Sequence, residues 1–202
     1  MLPGVARAYI AGASRDGHFS ASHRTLRISQ VHREWLDLLQ VLLATLGKSG
    51  WIYRESRERR VWTLETSYLV DPAPDLHDRD EVVAFVRGYF DAEGGVPRRA
   101  DDRFYVQFCQ KDRHDLAGLQ RYLDRIQIRT GTIHNPSARI DPEYWRLYVS
   151  ASDLPRFAQV VGSWHPIKGP ILASRFAAAV IPPLACRRDR LGQPGATTLS
   201  RP

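Results

Sequence analysis

Asp16-Gly17 and Glu93-Gly94 stand 77 residues apart, each closing a short apolar stretch with small residues at helical spacing. Ala8, Ala11 and Gly12 recur along the first stretch, and Ala84, Gly88 and Ala92 along the second. Small side chains at i+3 and i+4 share one helix face and let two helices cross at close range. Helices packed in this way would bring the two acids together at their C-terminal ends. Paired carboxylates repel unless a cation lies between them. Hard divalent ions such as Mg²⁺ take carboxylate and water oxygens. A nucleic-acid phosphate adds further oxygens, which completes the donor set of metal-assisted phosphodiester hydrolysis. Either acid alone reads as a solvated carboxylate before a turn glycine, so the pairing carries the chemistry.

The elements that must position these acids repeat. LRISQVHREWLDLLQVLLATLGKSGWIY (26–53) and VQFCQKDRHDLAGLQRYLDRIQIRTGTIH (106–134) superpose at a shift of 80, pairing Gln30 with Gln110, Arg33 with Arg113, Leu36 with Leu116 and Leu39 with Leu119. At a shift of 83, Trp62 falls on Trp145 and Leu64 on Leu147. The drift falls in expected loops, where insertions are tolerated. Each half reads as a short apolar helix (5–15; 80–92), a strand pair (18–23 with 26–30; 95–99 with 103–110), a longer amphipathic helix (31–46; 112–126) and a second hairpin (51–55 with 60–66; 131–135 with 143–150). The second half continues into helices over 153–162 and near 170–180. The expected units are a first repeat over 1–66, a Pro- and Asp-bearing linker over 67–79 with a helix N-cap at Asp78 or Asp80, a second repeat over 80–181, and a disordered tail over 182–202.

The chain has 202 residues, 43% apolar and 25% charged, which is ordinary globular composition and excludes a disordered or fibrous chain. No run of 18 apolar residues suggests a membrane span, and no apolar N-terminal core suggests a signal peptide. Two cysteines are too few for a disulfide framework, so the expected setting is a reducing cytoplasm or organelle matrix. The net charge is +7, and 26 of the 29 basic residues are arginines. Arginine presents a fork suited to phosphates and guanine edges. That composition fits a nucleic-acid partner, and it fits equally a GC-rich genome. The histidines lack metal-ligand spacing, and neither a nucleophile elbow nor a phosphate-binding glycine loop is present.

FVRGYFDAEGGV (85–96) resembles the signature of the LAGLIDADG homing endonucleases: Gly88, two bulky residues, then Asp91-Ala92-Glu93-Gly94. The counterpart YIAGASRDGHF (9–19), aligned without a gap on Asp16-Gly17, sets Ala11 against Gly88 and Ser14 against Asp91. A gap is disfavoured because deleting a residue inside a helix rotates everything beyond it by about 100°. The resemblance spans about residues 5–176. It implies an α+β fold of two pseudo-symmetric αββαββα repeats, each with a curved antiparallel four-stranded sheet, packed through the two motif helices.

It further implies a monomeric double-strand DNA endonuclease of intron or intein origin, acting on a long, nearly asymmetric site. Asp16 and Glu93 would hold Mg²⁺ or Mn²⁺. Gln30 and Gln110 would hold water. Lys168, in the segment HPIK, would polarise the scissile phosphate or orient water. The first half has no counterpart of Lys168, so the two centres should be unequal. Alternation along the strands and the charged turns give a DNA-facing set: Ser20, Ser22, Arg24, Arg27, Ser29, Tyr53, Arg54, Arg57, Arg59, Thr63, Arg98, Arg99, Tyr105, Gln107, His134, Asn135, Arg139 and Arg146. The rival expectations are a cleavage-inactive binding protein of the same fold (a maturase or transcription regulator) and a generic basic RNA-binding domain. Retention of both acids favours an enzyme over the former.

Overall fold

The computed structural model describes residues 1–55, 60–71, 73–99 and 101–176. The expected tail over 182–202 and the end of the second repeat lie outside the described residues.

Helix α1 (Pro3–Ala13) starts on a proline, whose missing N–H costs nothing at a helix N-terminus, and continues into a 3₁₀ turn, Ser14–Asp16. Strands β1 (Gly17–Ser20) and β2 (Thr25–Gln30) follow, then α2 (Arg33–Thr45), β3 (Trp51–Arg54) and β4 (Trp62–Thr66). They form one antiparallel sheet in the order β1-β2-β4-β3. The second half runs through α3 (Arg79–Glu93), β5 (Gly94–Gly95), β6 (Gln107–Gln110), α4 (Arg113–Arg125) and β7 (Trp145–Tyr148). It ends in α5 (Leu154–Val160) and α6 (Lys168–Phe176).

The second sheet is leaner than the expected four strands. Its regular strands are β5-β6-β7, and the segment expected as the third strand joins β7 through two bridges, Thr130↔Val149 and His134↔Arg146. Between those bridges three residues face two, which is a β-bulge and breaks the ladder. Strand β5 stops at Gly95, two residues before Pro97, which could not donate to a ladder. The order of elements up to the last strand is otherwise the expected one in both halves, but the closing helix expected of each repeat is found only in the second, because the Pro- and Asp-bearing segment after β4 forms no helix among the described residues.

Capping also repeats. Helix α2 ends in a Schellman motif, with Gly47 at φ 66° and Lys48 N–H donating to the Leu43 carbonyl at 2.9 Å. Helix α4 ends identically, with Gln127 at φ 61° and Ile128 N–H donating to the Leu123 carbonyl at 2.9 Å. At the head of α3, Asp78 accepts from the Glu81 N–H at 2.8 Å, which selects the first of the two expected caps.

Helices α1 and α3 pack side by side as the central layer, and Trp35, Leu36, Leu39 and Leu43 of α2 and Leu116, Leu119 and Leu123 of α4 close the core from outside the sheets. The contact between the central helices is set by two glycines. A Cβ on Gly88 would collide with the Tyr9 carbonyl oxygen, and one on Gly12 with the Phe85 carbonyl oxygen and, at 2.6 Å, the Tyr89 nitrogen.

This geometry corrects the ungapped alignment. Gly12, not Ala11, is the partner of Gly88, and Arg15, not Ser14, is the counterpart of Asp91. The missing residue is absorbed by the 3₁₀ turn. Four residues ending in such a turn rise about 7.5 Å, as far as five α-helical ones, and fall short of them in rotation by about 40° rather than 100°. Asp16 therefore reaches the level of Glu93 with one residue fewer beyond the crossing glycine.

Candidate nuclease centre at the ends of the twin helices

Asp16 closes the 3₁₀ turn and Glu93 is the last residue of α3. Both are half-buried. Burial pushes the Glu93 carboxyl up to about 7, and the Asp16 charge adds to the shift. Burial also raises Asp16, opposed by a hydrogen bond from Gln30 and by the charge of Lys168. The two acids thus share one electrostatic environment, as the paired-helix reading requires.

Gln30, at the end of β2, donates from Nε2 to Asp16 Oδ2 at 2.5 Å. Gln110, at the same place in β6, does something else. Its amide oxygen accepts from its neighbour Lys111 N–H at 3.2 Å, and its side chain lines an open cleft with Arg15, Asp112 and Asp115. The two glutamines are equivalent in the fold and unequal in their contacts.

Lys168 occupies the expected place but is engaged differently. Its ammonium donates to the carbonyls of Phe90 (2.8 Å), Asp91 (2.8 Å) and Ala92 (3.4 Å), the last turn of α3. Burial lowers its pKa to about 8, against the pull of Asp91, Glu93 and Asp16. Three donors meet three carbonyls, so Lys168 caps the helix that carries Glu93 and acts on the acids through its charge. The segment before it is held by His165, whose Nδ1 accepts from Ile167 N–H at 3.2 Å and whose ring lies edge-on to His32 at 5.2 Å.

Two polar contacts between the repeats escaped the sequence reading. Fully buried Asp91 accepts from Tyr9 Oη (2.6 Å), Trp164 N–H (2.9 Å) and the Ser163 hydroxyl. Trp35 Nε1 in turn donates to Tyr9 Oη at 2.9 Å. At the equivalent position Arg15 pairs with Asp115 at 3.0 Å and lies over the rings of Phe85 and Tyr89. The signal for Asp91 was its place in the DAEG motif. Nothing in the spacing marked Asp115, which stands where the first repeat has Trp35.

The sheet faces opposite the core hold most of the expected DNA-facing residues. Leu26, Ile28 and Leu64 are in the core, so Arg27, Ser29, Thr63 and Glu65 lie on the other side. Arg27 and Tyr53 both reach Glu65. Thr63 is fully covered and bonds Ser29 Oγ at 2.7 Å, so it is a support rather than a base contact. Arg54 stacks on Trp62, whose ring also carries Arg33. Ser22 and Arg24 lie in the exposed β1–β2 turn, with Arg24 at φ 52°, and half-buried Ser20 ends β1 before it.

In the second sheet Tyr105 and His134 both pack on Tyr148, and Gln107 lies beside Gly95. Arg146 lies over Tyr144. Asn135 is a turn-former: its Nδ2 donates to the Asp141 carbonyl and its Oδ1 accepts from Ser137 N–H, both at 2.8 Å. Arg98, Arg99 and Arg139 are exposed. Arg57 and Arg59 lie outside the described residues.

Residues 80–162 match the model of the LAGLIDADG-like domain. The chain carries a LAGLIDADG-like domain within a two-repeat LAGLIDADG fold. Solved structures of this fold include I-DmoI in complex with DNA and Mn, 18% identical, with a TM-score of 0.58 over 79% of this chain and 97% of that one. Mesophilic variants of I-DmoI give a TM-score of 0.61 at 18% identity, over 85% and 98%. Full-length DUF199/WhiA from Thermatoga maritima gives 0.62 at 17% identity, over 86% of this chain and 61% of that one. At such identities the likeness is one of fold. No curated protein matches the chain in sequence. Helix α3 opens the matched segment and ends at Glu93; α1, which lies outside that segment, packs beside it and is followed by the turn that ends at Asp16. Among the described residues no helix is long and apolar enough to cross a membrane, and no group of three or more His, Cys, Asp and Glu could hold a metal.

Proposed function

We propose that this chain is a divalent-metal-dependent, site-specific DNA endonuclease that cuts both strands of a long, nearly asymmetric duplex site as a monomer, with repeats over 1–66 and 80–181 joined by 67–79. The observation that carries the reading is the convergence of Asp16 and Glu93, each half-buried at the end of a motif helix and each with a raised carboxyl pKa. Asp16 and Glu93 would hold the cation, which supplies Lewis-acid stabilisation of the charge that develops on the phosphate. Gln30, bonded to Asp16, fixes that carboxylate and leaves its own amide oxygen to orient a water. Lys168 fixes the last turn of α3 and offsets the repulsion between the acids. I-DmoI, which shares the fold, has been solved with DNA and Mn, Ca or Mg, which supports both the partner and the cofactor class.

A second reading, a DNA-binding protein of this fold without cleavage, is favoured by one observation. The Asp16–Gln30 contact has no counterpart at Gln110, whose amide oxygen turns to Lys111. Mg²⁺-dependent cutting of a plasmid library decides between them. The nuclease reading expects double-strand breaks that vanish in EDTA and in Asp16→Asn and Glu93→Gln, with affinity retained within about tenfold, ~1.4 kcal/mol. Tight site-specific binding without any nick, in Mg²⁺ or Mn²⁺, would establish the second reading instead.

A further inference from the structure

Glu65 is an acidic side chain near the middle of a sheet face offered to a polyanion, and only 6% of it is exposed. Nothing in the nuclease centre uses it. Its Oε1 accepts from Thr25 Oγ1 at 2.6 Å and from Arg27 Nη2 at 3.1 Å, and its Oε2 accepts from Tyr53 Oη at 2.8 Å. These donors, Thr25 first, hold the carboxyl below its ordinary range. Thr25 and Arg27 lie on β2, Glu65 on β4 and Tyr53 on β3, so the cluster ties together three of the four strands. A carboxylate with three fixed donors is a rigid anchor; Thr25 is buried, Tyr53 is half-buried, and Arg27 reaches solvent with its side chain 33% exposed.

What remains of the Arg27 fork is defined. Its Nε is covered and has no hydrogen-bond partner among the described residues. One Nη2 hydrogen is engaged by Glu65. Nη1 makes no hydrogen bond among the described residues, so it and the second Nη2 hydrogen are left for a ligand, and two such N–H donors match the O6 and N7 acceptors of a guanine in the major groove. We infer that Glu65 is the specificity-positioning residue of the first repeat: with Thr25 and Tyr53 it fixes Arg27 to read one guanine in duplex DNA. The carboxylate also neutralises Arg27 locally, so the arginine gains little from a phosphate, which presents no base. The second repeat lacks the device, because Gln107 stands at the register of Arg27 and Tyr148 at that of Glu65. The two half-sites are therefore read by different chemistry, which gives the asymmetric target a physical origin. This inference rests on the DNA reading above.

The test is selection of duplexes from a library of randomised base pairs by the full chain in EDTA, where binding is read without cutting. The wild type should enrich a G·C pair at a position of one half-site. Arg27→Ala should erase that preference alone. Glu65→Gln, Thr25→Val and Tyr53→Phe should each flatten it, Glu65→Gln by at least tenfold, while preferences in the other half-site stay put. Arg146→Ala is the control and should alter only the other half-site. A folded Glu65→Gln, or the Thr25→Val Tyr53→Phe double variant should Glu65→Gln fail to fold, that keeps the guanine preference overturns the inference. Uniform weakening at every position overturns it too, because a merely structural Glu65 would act that way. A wild type that enriches nothing defeats the DNA reading itself.

Discussion

Gly12, Gly88 and Gly118 all lie within helices, and the structure gives them opposite expectations on replacement by alanine. At Gly118 of α4 an added methyl meets only the flexible end of Arg121, at 3.8 Å, so Gly118→Ala should stabilise by the helix-propensity difference, about 0.5–1 kcal/mol. At Gly88 the same methyl collides with the backbone of Tyr9, and at Gly12 it comes within 2.6 Å of the Tyr89 nitrogen, where ordinary contacts need about 3.5–4.0 Å. No rotamer relieves a clash against backbone, so α1 and α3 must part. Overpacking costs about 1–3 kcal/mol, and separation of the buried Tyr9, Ala13, Phe85 and Tyr89 adds to it. After the propensity gain is set against this, Gly88→Ala should lose about 2 kcal/mol, or a thermal midpoint roughly 4–8 °C lower for a chain of this size. Urea denaturation followed by far-ultraviolet circular dichroism measures all three variants against the wild type. If Gly88→Ala proved as stable as Gly118→Ala, the close crossing of the twin helices, and with it the pairing of their acids, would be refuted.

Three further perturbations have defined outcomes. Gln127 holds the left-handed C′ position that Gly47 holds in the first repeat, so Gln127→Gly should gain up to about 1 kcal/mol in the same urea assay. Asp91 faces only donors, from Tyr9, Ser163 and Trp164. Asp91→Asn would turn an NH₂ toward one of them and should cost about 1–3 kcal/mol, read as a shift in the urea midpoint. Burial lowers His165 to about 3, with the charges of Lys168 and His32 adding to the shift, while an unfolded histidine titrates near ~6.5. The unfolded chain therefore binds this proton first, and His165 subtracts stability as pH falls from about 6.5 toward about 3. Asp16 and Glu93, raised in the folded chain, act in the opposite sense. Midpoints of the wild type minus those of His165→Gln, measured between pH 7 and pH 4, should therefore fall with acidification; a flat difference would count against the buried neutral ring.

What was legible in the sequence was whatever repeats. Gln30 and Gln110, Arg33 and Arg113, and Trp62 and Trp145 take equivalent places because a duplicated chain keeps its register wherever side chains pack on both sides. The order of elements and the pairing of the two acids followed from that. What was not legible lies where the halves were free to diverge. The Gly12–Gly88 crossing was misaligned because residue counting assumes a uniform helix, and a 3₁₀ turn changes the rise per residue. The role of Glu65 was invisible because strand alternation assigns a face and not a partner. Asn135 and Thr63 were placed in the DNA-facing set on polarity and alternation, and each is engaged by its own neighbourhood.

The two motif helices must stop at the same height for their acids to share a site, and they do so by different means. Helix α3 runs regularly to Glu93, and the carbonyls of its last turn, Phe90 (which also accepts from Gly94 N–H), Asp91 and Ala92, are taken by the Lys168 ammonium. Helix α1 has one residue fewer between its crossing glycine and its acid and stretches to that acid through the 3₁₀ turn, where Ser14 Oγ donates to the Ala11 carbonyl at 2.8 Å. A cation therefore sits behind one acid and an amide, Gln30, beside the other. The positive charge that tempers the repulsion between Asp16 and Glu93 thus comes from the second repeat, while the hydrogen bond that orients a carboxylate comes from the first. Inequality of the two halves is built into how the helices end, before any residue of the DNA-facing sheets is considered.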